Sequence, residues 1–332
     1  MRWVIRTLIF DFALLLVYLA ACFYVTHMPR NDEEKTIVIA PHTGTQQIIA
    51  QLHEAQLSPP LWLMAPSLAA AKLRGAPTLK AGEYLFPPHT STAEAMSMIR
   101  RGEVVVHQVT IPEGWNSFQV RAALAKEELL TGDIPAIAEG SVFPDTMRFA
   151  RGEARSAVLA RMQHARDTVL ADLWKERAEN LPLKTPDEAL VLASIVEKET
   201  GVHDERAKVA GVFINRLRMG MALQTDPTVA YGVEAMHGGA PMGRALTTDD
   251  LQRDTPYNTY TRVGLPPTPI CNPGRAALLA ALHPEATDAL YFVATGTGGH
   301  VFSATLKEHE QHVAAYRAFM RGAAAAESNK KQ

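Results

Sequence analysis

Two glutamates close a well-marked helix, and the setting of one of them suits proton transfer. Thr185-Pro186-Asp187-Glu188 supplies an N-cap hydroxyl, a first-turn proline and an acid at the third helical position, the marks of a helix start. Gly201 supplies the expected stop. Glu197 and Glu199 fall in the last turn, about 200° apart around the axis, so they face different surroundings. Residues three, four and seven before Glu199 are Val196, Ile195 and Leu192, all apolar, whereas the same offsets before Glu197 give Ser194, Ala193 and Leu190. Glu199 therefore extends the buried stripe, and Glu197 is expected to meet water or a salt-bridge partner. A carboxyl held against apolar side chains, at the negative end of a helix dipole, keeps its proton to higher pH and can act as a general acid. The competing account is a buried glutamate paired with Arg206 or Arg216.

Polar loops follow. Val202 to Met219 reads as a helix with Val209, Val212, Phe213 and Leu217 inward, running into Leu223-Gln224-Thr225-Asp226-Pro227-Thr228. Gln224, Thr225 and Asp226 are candidates to line a cleft, while an Asx-type turn at Asp226-Pro227 would account for the same residues. Tyr257, Asn258 and Tyr260, within Thr255–Thr261, set aromatic rings beside an amide. That combination suits stacking on sugar faces and bonding to hydroxyl or acetamido groups, and it suits a solvated loop as well. Leu290–Val293 and His300–Ser303 flank Gly296-Thr297-Gly298-Gly299 and read as a β-hairpin, not as a phosphate loop between strand and helix. Glu308-His309-Glu310-Gln311-His312 places two histidines three apart on a helix, near His283 and His300, but misses the H-E-x-x-H zinc pattern by one residue. Solvated helix histidines are expected there, with no metal and no cofactor. No G-x-S-x-G occurs, which argues against a serine hydrolase.

The elements that must position these residues follow from length and composition. At 332 residues the chain is expected to form roughly two domains of about 150 residues each. An apolar share of 47% against 20% charged residues excludes a disordered chain. A formal net charge of −2 offers no basic field for nucleic acid, so no such partner is expected. Two cysteines, Cys22 and Cys271, cannot build a disulfide scaffold or a four-cysteine zinc site.

Leu8–Val25 is an 18-residue apolar run interrupted only by Asp11, and as a helix it spans about 27 Å, close to a bilayer core. Arg2 and Arg6 precede it and Asp32, Glu33 and Glu34 follow it, so a single-pass anchor with a cytoplasmic N-terminus and an extracytoplasmic remainder is expected. Leu19-Ala20-Ala21-Cys22 resembles a lipoprotein cleavage box that would leave a lipid on Cys22, and a cleaved signal peptide is a further reading. Phe23, Tyr24 and Val25 continue the apolar run and favour the uncleaved anchor.

Beyond the anchor (1–30), an α+β chain is expected. Residues 31–111 read as a small α/β module. They comprise a charged linker over 30–36, a strand at Thr36–Ile39, and a helix carrying Ile48, Ile49 and Leu52. A second helix at Leu61–Leu73, a strand ending at Phe86, a helix at Thr92–Arg101 and a strand over Val104–Ile111 complete it. Residues 112–322 form a larger α+β domain, with a loop around Glu139–Thr146 and a long helix from Ala154 to about Glu179; 323–332 is a polar tail.

Six blocks lie in order along the chain: Ala193-Ser-Ile-Val-Glu-Lys-Glu-Thr200, Val212-Phe-Ile-Asn-Arg-Leu217, Leu223-Gln-Thr-Asp-Pro-Thr228, Tyr257-Asn-Thr-Tyr260, Gly264-Leu-Pro-Pro267 and Gly298-Gly-His-Val-Phe302. Together with Glu139-Gly-Ser-Val-Phe-Pro-Asp-Thr146 they resemble the MltG (YceG-like) endolytic murein transglycosylases. The resemblance implies an N-terminal membrane anchor, a LysM-like sugar-binding module and a C-terminal catalytic domain. It places the essential acid on Glu199, the second glutamate of E-K-E, in agreement with the stripe argument. Glu205, Gln224, Thr225, Asp226, Tyr257, Asn258 and Tyr260 become candidate substrate contacts. The implied reaction cuts the β-1,4 bond between N-acetylmuramic acid and N-acetylglucosamine within a nascent glycan strand and leaves a 1,6-anhydro end. Implied partners are peptidoglycan glycan strands and the synthases that make them. Two rivals remain: a non-catalytic peptidoglycan-binding scaffold, and a water-using muramidase whose second carboxylate would be Asp226 or Glu205.

Overall fold

The structure is a computed structural model that describes residues 2–330. By its internal contacts the chain divides into two units, one comprising residues up to 107 with 148–153, the other 108–147 with 154 onward.

The first unit begins with α1 (Arg2–His27), the one helix among the described residues long and apolar enough to cross a membrane. Then come β1 (Lys35–Ile39), α2 (Thr45–Glu54), α3 (Leu61–Leu73), β2 (Gly82–Phe86) and α4 (Thr92–Arg101). β1 and β2 pair antiparallel with Ile37 opposite Tyr84. Alternation sends Ile37 and Ile39 inward with Tyr84 and Phe86, where they meet Ile48, Ile49 and Leu52 of α2 and Ala95, Met96 and Ile99 of α4. Ser91 caps α4 by accepting the Glu94 N–H, and the Glu94 carboxylate returns the bond to the Ser91 N–H. Helix α3 contributes one fully buried residue, Met64, to this core, with Leu68 packed against it partly buried.

The segment expected as a charged linker is instead pinned. Asn31 is buried; its amide donates to Glu33 O and Pro87 O, each at 2.7 Å, and its side-chain oxygen accepts the Thr90 N–H at 2.9 Å. One amide satisfies three backbone groups, a role that the surrounding run of charges hides in the sequence.

β3 (Val106–Thr110) pairs with β4 (Thr146–Ala150). β4 was not expected, because only Phe149 in it is buried and no alternation shows.

The second unit holds α5 (Ser117–Lys126), α6 (Arg155–Lys175), α7 (Pro186–Glu199), α8 (Arg206–Met219), α9 (Asp226–Met236), α10 (Thr248–Gln252), α11 (Arg275–Leu282), the hairpin β5 (Tyr291–Ala294) and β6 (His300–Ser303), and α12 (Leu306–Lys330). The side chains of the tail expected over 323–332 lie outside the described residues, although the α12 backbone runs to Lys330. Helix α7 sits in the middle of the core, packed by α6, α8, α9 and α11, and every residue from Ala189 to Val196 is buried. A helix apolar all round is a central one. Its start is as expected, with Thr185 accepting the Glu188 N–H. Its end is not: Gly201 has no left-handed conformation, and the helix stops where Thr200 turns extended at φ −137°. A 3-10 turn at His203–Glu205 then precedes α8, which shortens the helix expected from Val202. Two helices lacked a sequence signal: α11 is alanine- and leucine-rich without polar period, and α9 starts within the expected polar loop.

Gly211 lets α8 approach the chain after α11. A Cβ there would lie 2.5 Å from the Glu285 carbonyl oxygen, whereas one on Gly201 would meet nothing within 4 Å. Alanine favours a helix over glycine by about 1 kcal/mol, yet Gly211→Ala is expected to destabilise by about 1–3 kcal/mol through overpacking. Gly201→Ala should stay within about 0.5 kcal/mol of the parent in denaturant unfolding.

Candidate active site

Glu199 is the last residue of α7, and its carboxylate accepts a hydrogen bond from Thr225 Oγ1. Thr225 is the N-cap position of α9 and is itself buried. Its N–H donates to Thr259 Oγ1 at 3.0 Å, its carbonyl accepts from Thr228 Oγ1 at 2.7 Å, and the Thr228 and Thr259 hydroxyls bond at 2.8 Å. Three threonines thus fix the hydroxyl that meets Glu199. The preceding residue, Gln224, holds a left-handed φ of +50°, a strained conformation for a residue with a side chain. Burial pushes the Glu199 carboxyl above its ordinary value; the Thr225 bond opposes this, and the Asp226 charge adds to it.

Glu199 opens onto a cavity of about 620 Å³ within the second unit, lined also by Arg216, Gln224, Asp226, Tyr260, Tyr291 and His300. Tyr260 donates its hydroxyl to Asp226 at 2.6 Å, and burial followed by that bond pushes the phenol up. Arg216 does not neutralise Glu199. Its Nε donates to Leu290 O at 2.7 Å and its Nη1 to Ala222 O and Leu223 O, and it lies 5.2 Å over the Tyr291 ring. Arg206 pairs instead with Glu197 at 3.7 Å. Among the described residues, no ion pair reaches Glu199.

Three other carboxyls are also pushed up by burial: Glu139, Glu197 and Glu234, the last of which accepts the Met242 N–H at 3.2 Å. Glu139 accepts from Ser117 and from the Tyr231 hydroxyl, and Glu197, its side chain only 6% exposed, accepts the Gly274 N–H at 2.9 Å. Glu197 has the salt-bridge partner that was one of the two surroundings expected of it, and its side chain keeps little contact with solvent. Both glutamates are half-buried at the end of a helix whose preceding two turns are buried on every side. None of these three lines the large cavity; Glu199 does.

The sequence candidates separate on inspection. Gln224, Asp226 and Tyr260 share the cavity with Glu199, and Thr225 bonds it. Glu205 stands behind the wall, accepting the His300 N–H at 2.9 Å and pairing with His300 Nδ1 at 2.8 Å. Burial raises the Glu205 carboxyl, but the two His300 bonds outweigh it, and the net direction is down. Tyr257 lies elsewhere, bonded to Thr268 at 2.8 Å with its ring edge-on to Tyr231. Asn258 is corrected outright as a substrate contact. It is 0% exposed, donates to Leu251 O and Arg253 O, and accepts from Tyr260 N, so its amide braces the loop that carries Tyr260.

Missing from the sequence candidates are His300, Tyr291 and the α12 residues His309, Tyr316 and Arg317, all lining the cavity, while Arg216 figures there only as a counter-ion. The glycines before His300 are the available signal; α12 gives none. The histidines hold separate places: His309 stacks on Tyr291 and His312 bonds Ser303.

The sequence profile of the YceG-like family matches residues 37–315. The chain belongs to the YceG-like family. Membership makes it an enzyme, a lytic transglycosylase of the lyase class. This YceG-like chain is 31% identical over 272 residues to the endolytic murein transglycosylase of Bacillus subtilis (strain 168), covering 72% of this chain and 74% of that one. It is 29% identical over 289 residues to the endolytic murein transglycosylase of Streptococcus pneumoniae serotype 2 (strain D39), covering 74% of this chain but only 52% of that one. The crystal structure of a YceG-like protein from Listeria monocytogenes matches with a TM-score of 0.51 and 29% identity, over 84% of this chain and 99% of that one.

The folded state holds the Glu199 proton more tightly than the unfolded chain does. The stability tied to this group is thus intact below the ordinary carboxyl value and declines as pH rises toward the folded one. Glu199→Gln should therefore gain in Tm relative to the parent as pH is raised from about 4 to about 8. Thr225→Val, which removes the opposing hydrogen bond, should move the carboxyl titration of Glu199 further up, as read by carboxyl-carbon NMR; a downward move would contradict the role given to the hydroxyl.

Proposed function

We propose that this chain is a membrane-anchored endolytic murein transglycosylase in which Glu199 is the general acid and then the general base. The observation that carries this reading is the position of Glu199: of the four carboxyls that burial pushes up in the second unit, it is the one facing the large cavity, bonded to a hydroxyl and held in no ion pair among the described residues. Protonated, it donates to the glycosidic oxygen as the bond from the N-acetylmuramyl anomeric carbon breaks, freeing the N-acetylglucosamine 4-hydroxyl. As carboxylate, it takes the proton from the muramyl 6-hydroxyl, whose oxygen closes onto the anomeric carbon to give the 1,6-anhydro ring. The proton returns to Glu199, and no water is consumed. Asp226 and Tyr260 would present an acceptor and a ring to the sugars, and Arg317 on the α12 wall would offer a cation to muramyl carboxylates.

The anchor reading draws on α1 and on the arginines that precede it. Cys22 is 1% exposed, packed within the first unit, which favours an intact helix over a lipid-modified terminus at that residue. An extracytoplasmic remainder meets the substrate where it lies. For 31–111, the strand–helix–helix–strand order closed by an antiparallel pair supports a small LysM-like sugar-binding module, with 112–322 as the catalytic domain. Synthases that extend glycan strands are the proposed partners.

A second reading rests on Asp226, which lines the same cavity as Glu199 and would make a water-using muramidase. The products decide. Digestion of long glycan strands should give anhydromuramyl ends by mass spectrometry; reducing ends would establish the muramidase, and no new ends the binding scaffold. Glu199→Gln should keep the fold and lose cleavage, while Glu197→Gln, whose carboxyl bonds Gly274 away from the cavity, should retain cleavage with lowered Tm. Full activity in Glu199→Gln would refute the assignment.

A further inference from the structure

Helix α3 is an apolar helix that the first unit leaves largely uncovered. From Ser58 to Ala71 it and its lead-in carry no charge, and Lys72 and Arg74 close its far end. Met64 alone is buried, while Leu61, Trp62 (61% exposed) and Leu73 (89% exposed) project outward. In water this would be a costly face.

Its neighbour gives the occupant. Helix α3 packs against α1, and the Tyr18 hydroxyl donates to the Trp62 carbonyl at 2.8 Å. Between Arg6 and His27 lie 20 residues, which as a helix measure about 30 Å, the thickness of a bilayer core. All of them are needed to cross, so none of 7–26 stands clear of the hydrocarbon. Shifting the helix one turn, with Arg6 reaching back to the interface, still leaves Tyr18 inside. The Trp62 backbone therefore lies below the membrane surface. One turn and more along α3, Ser67 and Leu68 share a small cavity with Thr26, His27 and Arg100. Helix α3 thus rises alongside α1, from Tyr18 toward the end of the span, and brings Lys72 and Arg74 to headgroup depth. Pro59 and Pro60, which have no N–H, precede its first turn and lessen the backbone donors left unpaired in lipid. The segment after α1 allows no retreat, because Arg30 N donates to Thr90 O and Asn31 is fastened to the 87–90 loop.

We propose that α3 is seated in the bilayer leaflet nearest the folded part of the chain, with Leu61 and Trp62 among acyl chains and Lys72 and Arg74 among lipid phosphates. This rests on the reading of α1 as an uncleaved anchor. The surface it defines is a lipid-binding one, separate from the cavity at Glu199.

The test uses the full chain in vesicles of phosphatidylethanolamine and phosphatidylglycerol with brominated acyl chains. Trp3→Phe, Trp115→Phe and Trp174→Phe together leave Trp62 as the sole tryptophan of the four. Acyl bromines should remove most of the Trp62 emission, and aqueous acrylamide little of it. Carbonate washing separates the two readings. Release of the chain by carbonate overturns the anchor and this proposal with it. Retention with Trp62 quenched by acrylamide and not by bromine overturns the proposal alone, and shielding from both quenchers overturns it in favour of a protein cover. Should the triple variant fail to fold, Trp62→Cys in the otherwise unchanged chain decides the same question, since Cys22 and Cys271 are buried. A membrane-impermeant maleimide should label it only after the vesicles are dissolved and the protein denatured; labelling in intact vesicles overturns the proposal.

Discussion

A largely buried carboxyl group, bonded to a hydroxyl and held in no ion pair among the described residues, is the constraint on which the rest of the second unit depends. Had Arg206 or Arg216 paired with Glu199, the carboxylate would have been stabilised and its titration drawn back down. Both arginines are occupied elsewhere, one with Glu197 and the other with three backbone carbonyls. The arrangement keeps a cation within electrostatic reach of the cavity without discharging the acid. It also explains why α7 runs through the core: only a helix covered on all sides can deliver its final residue to an enclosed site with so little solvent behind it.

Positioning then falls to hydroxyl groups. Thr225, Thr228 and Thr259 form a closed set of short bonds at the start of α9, and the left-handed Gln224 turns the chain into it. Across the cavity, Glu205 grips both the backbone and the ring of His300, which fixes the β5–β6 hairpin. Gly299 beside it has a φ of +95°, and a Cβ there would meet the Glu205 carboxylate at 2.7 Å, so the glycine run permits the close approach that holds the hairpin. Carboxyl groups thus play three parts in one region: one facing the cavity with its titration pushed up by burial, one tied to a histidine, one tied to a phenol.

Much of this was legible from residue order. The capped start of α7, the hairpin around Gly296–Gly299, the helices at Leu61–Leu73 and Thr92–Arg101, and the special setting of Glu199 all follow from local chemistry or short-range periodicity. The stripe argument reached Glu199 but not for a sufficient reason, since α7 is apolar on every face and buries Glu197 as well. What separates the two glutamates is which side holds a cavity, a property of α8, the hairpin and α12 packed together. Asn258 shows the same limit. An amide between two tyrosines reads as a sugar contact until its three bonds are seen to be spent on backbone. Asn31 is the converse, a residue in a charged stretch whose value lies in a loop some sixty positions away.

The cavity collects its walls from α7, the start of α9, the hairpin and finally α12, with Tyr316 and Arg317 the last contributors in the chain. The order of synthesis therefore sets when the cavity can exist. Until that closing helix has formed and docked, Glu199 faces an unfinished groove, and a partly synthesised chain lacks the completed cavity.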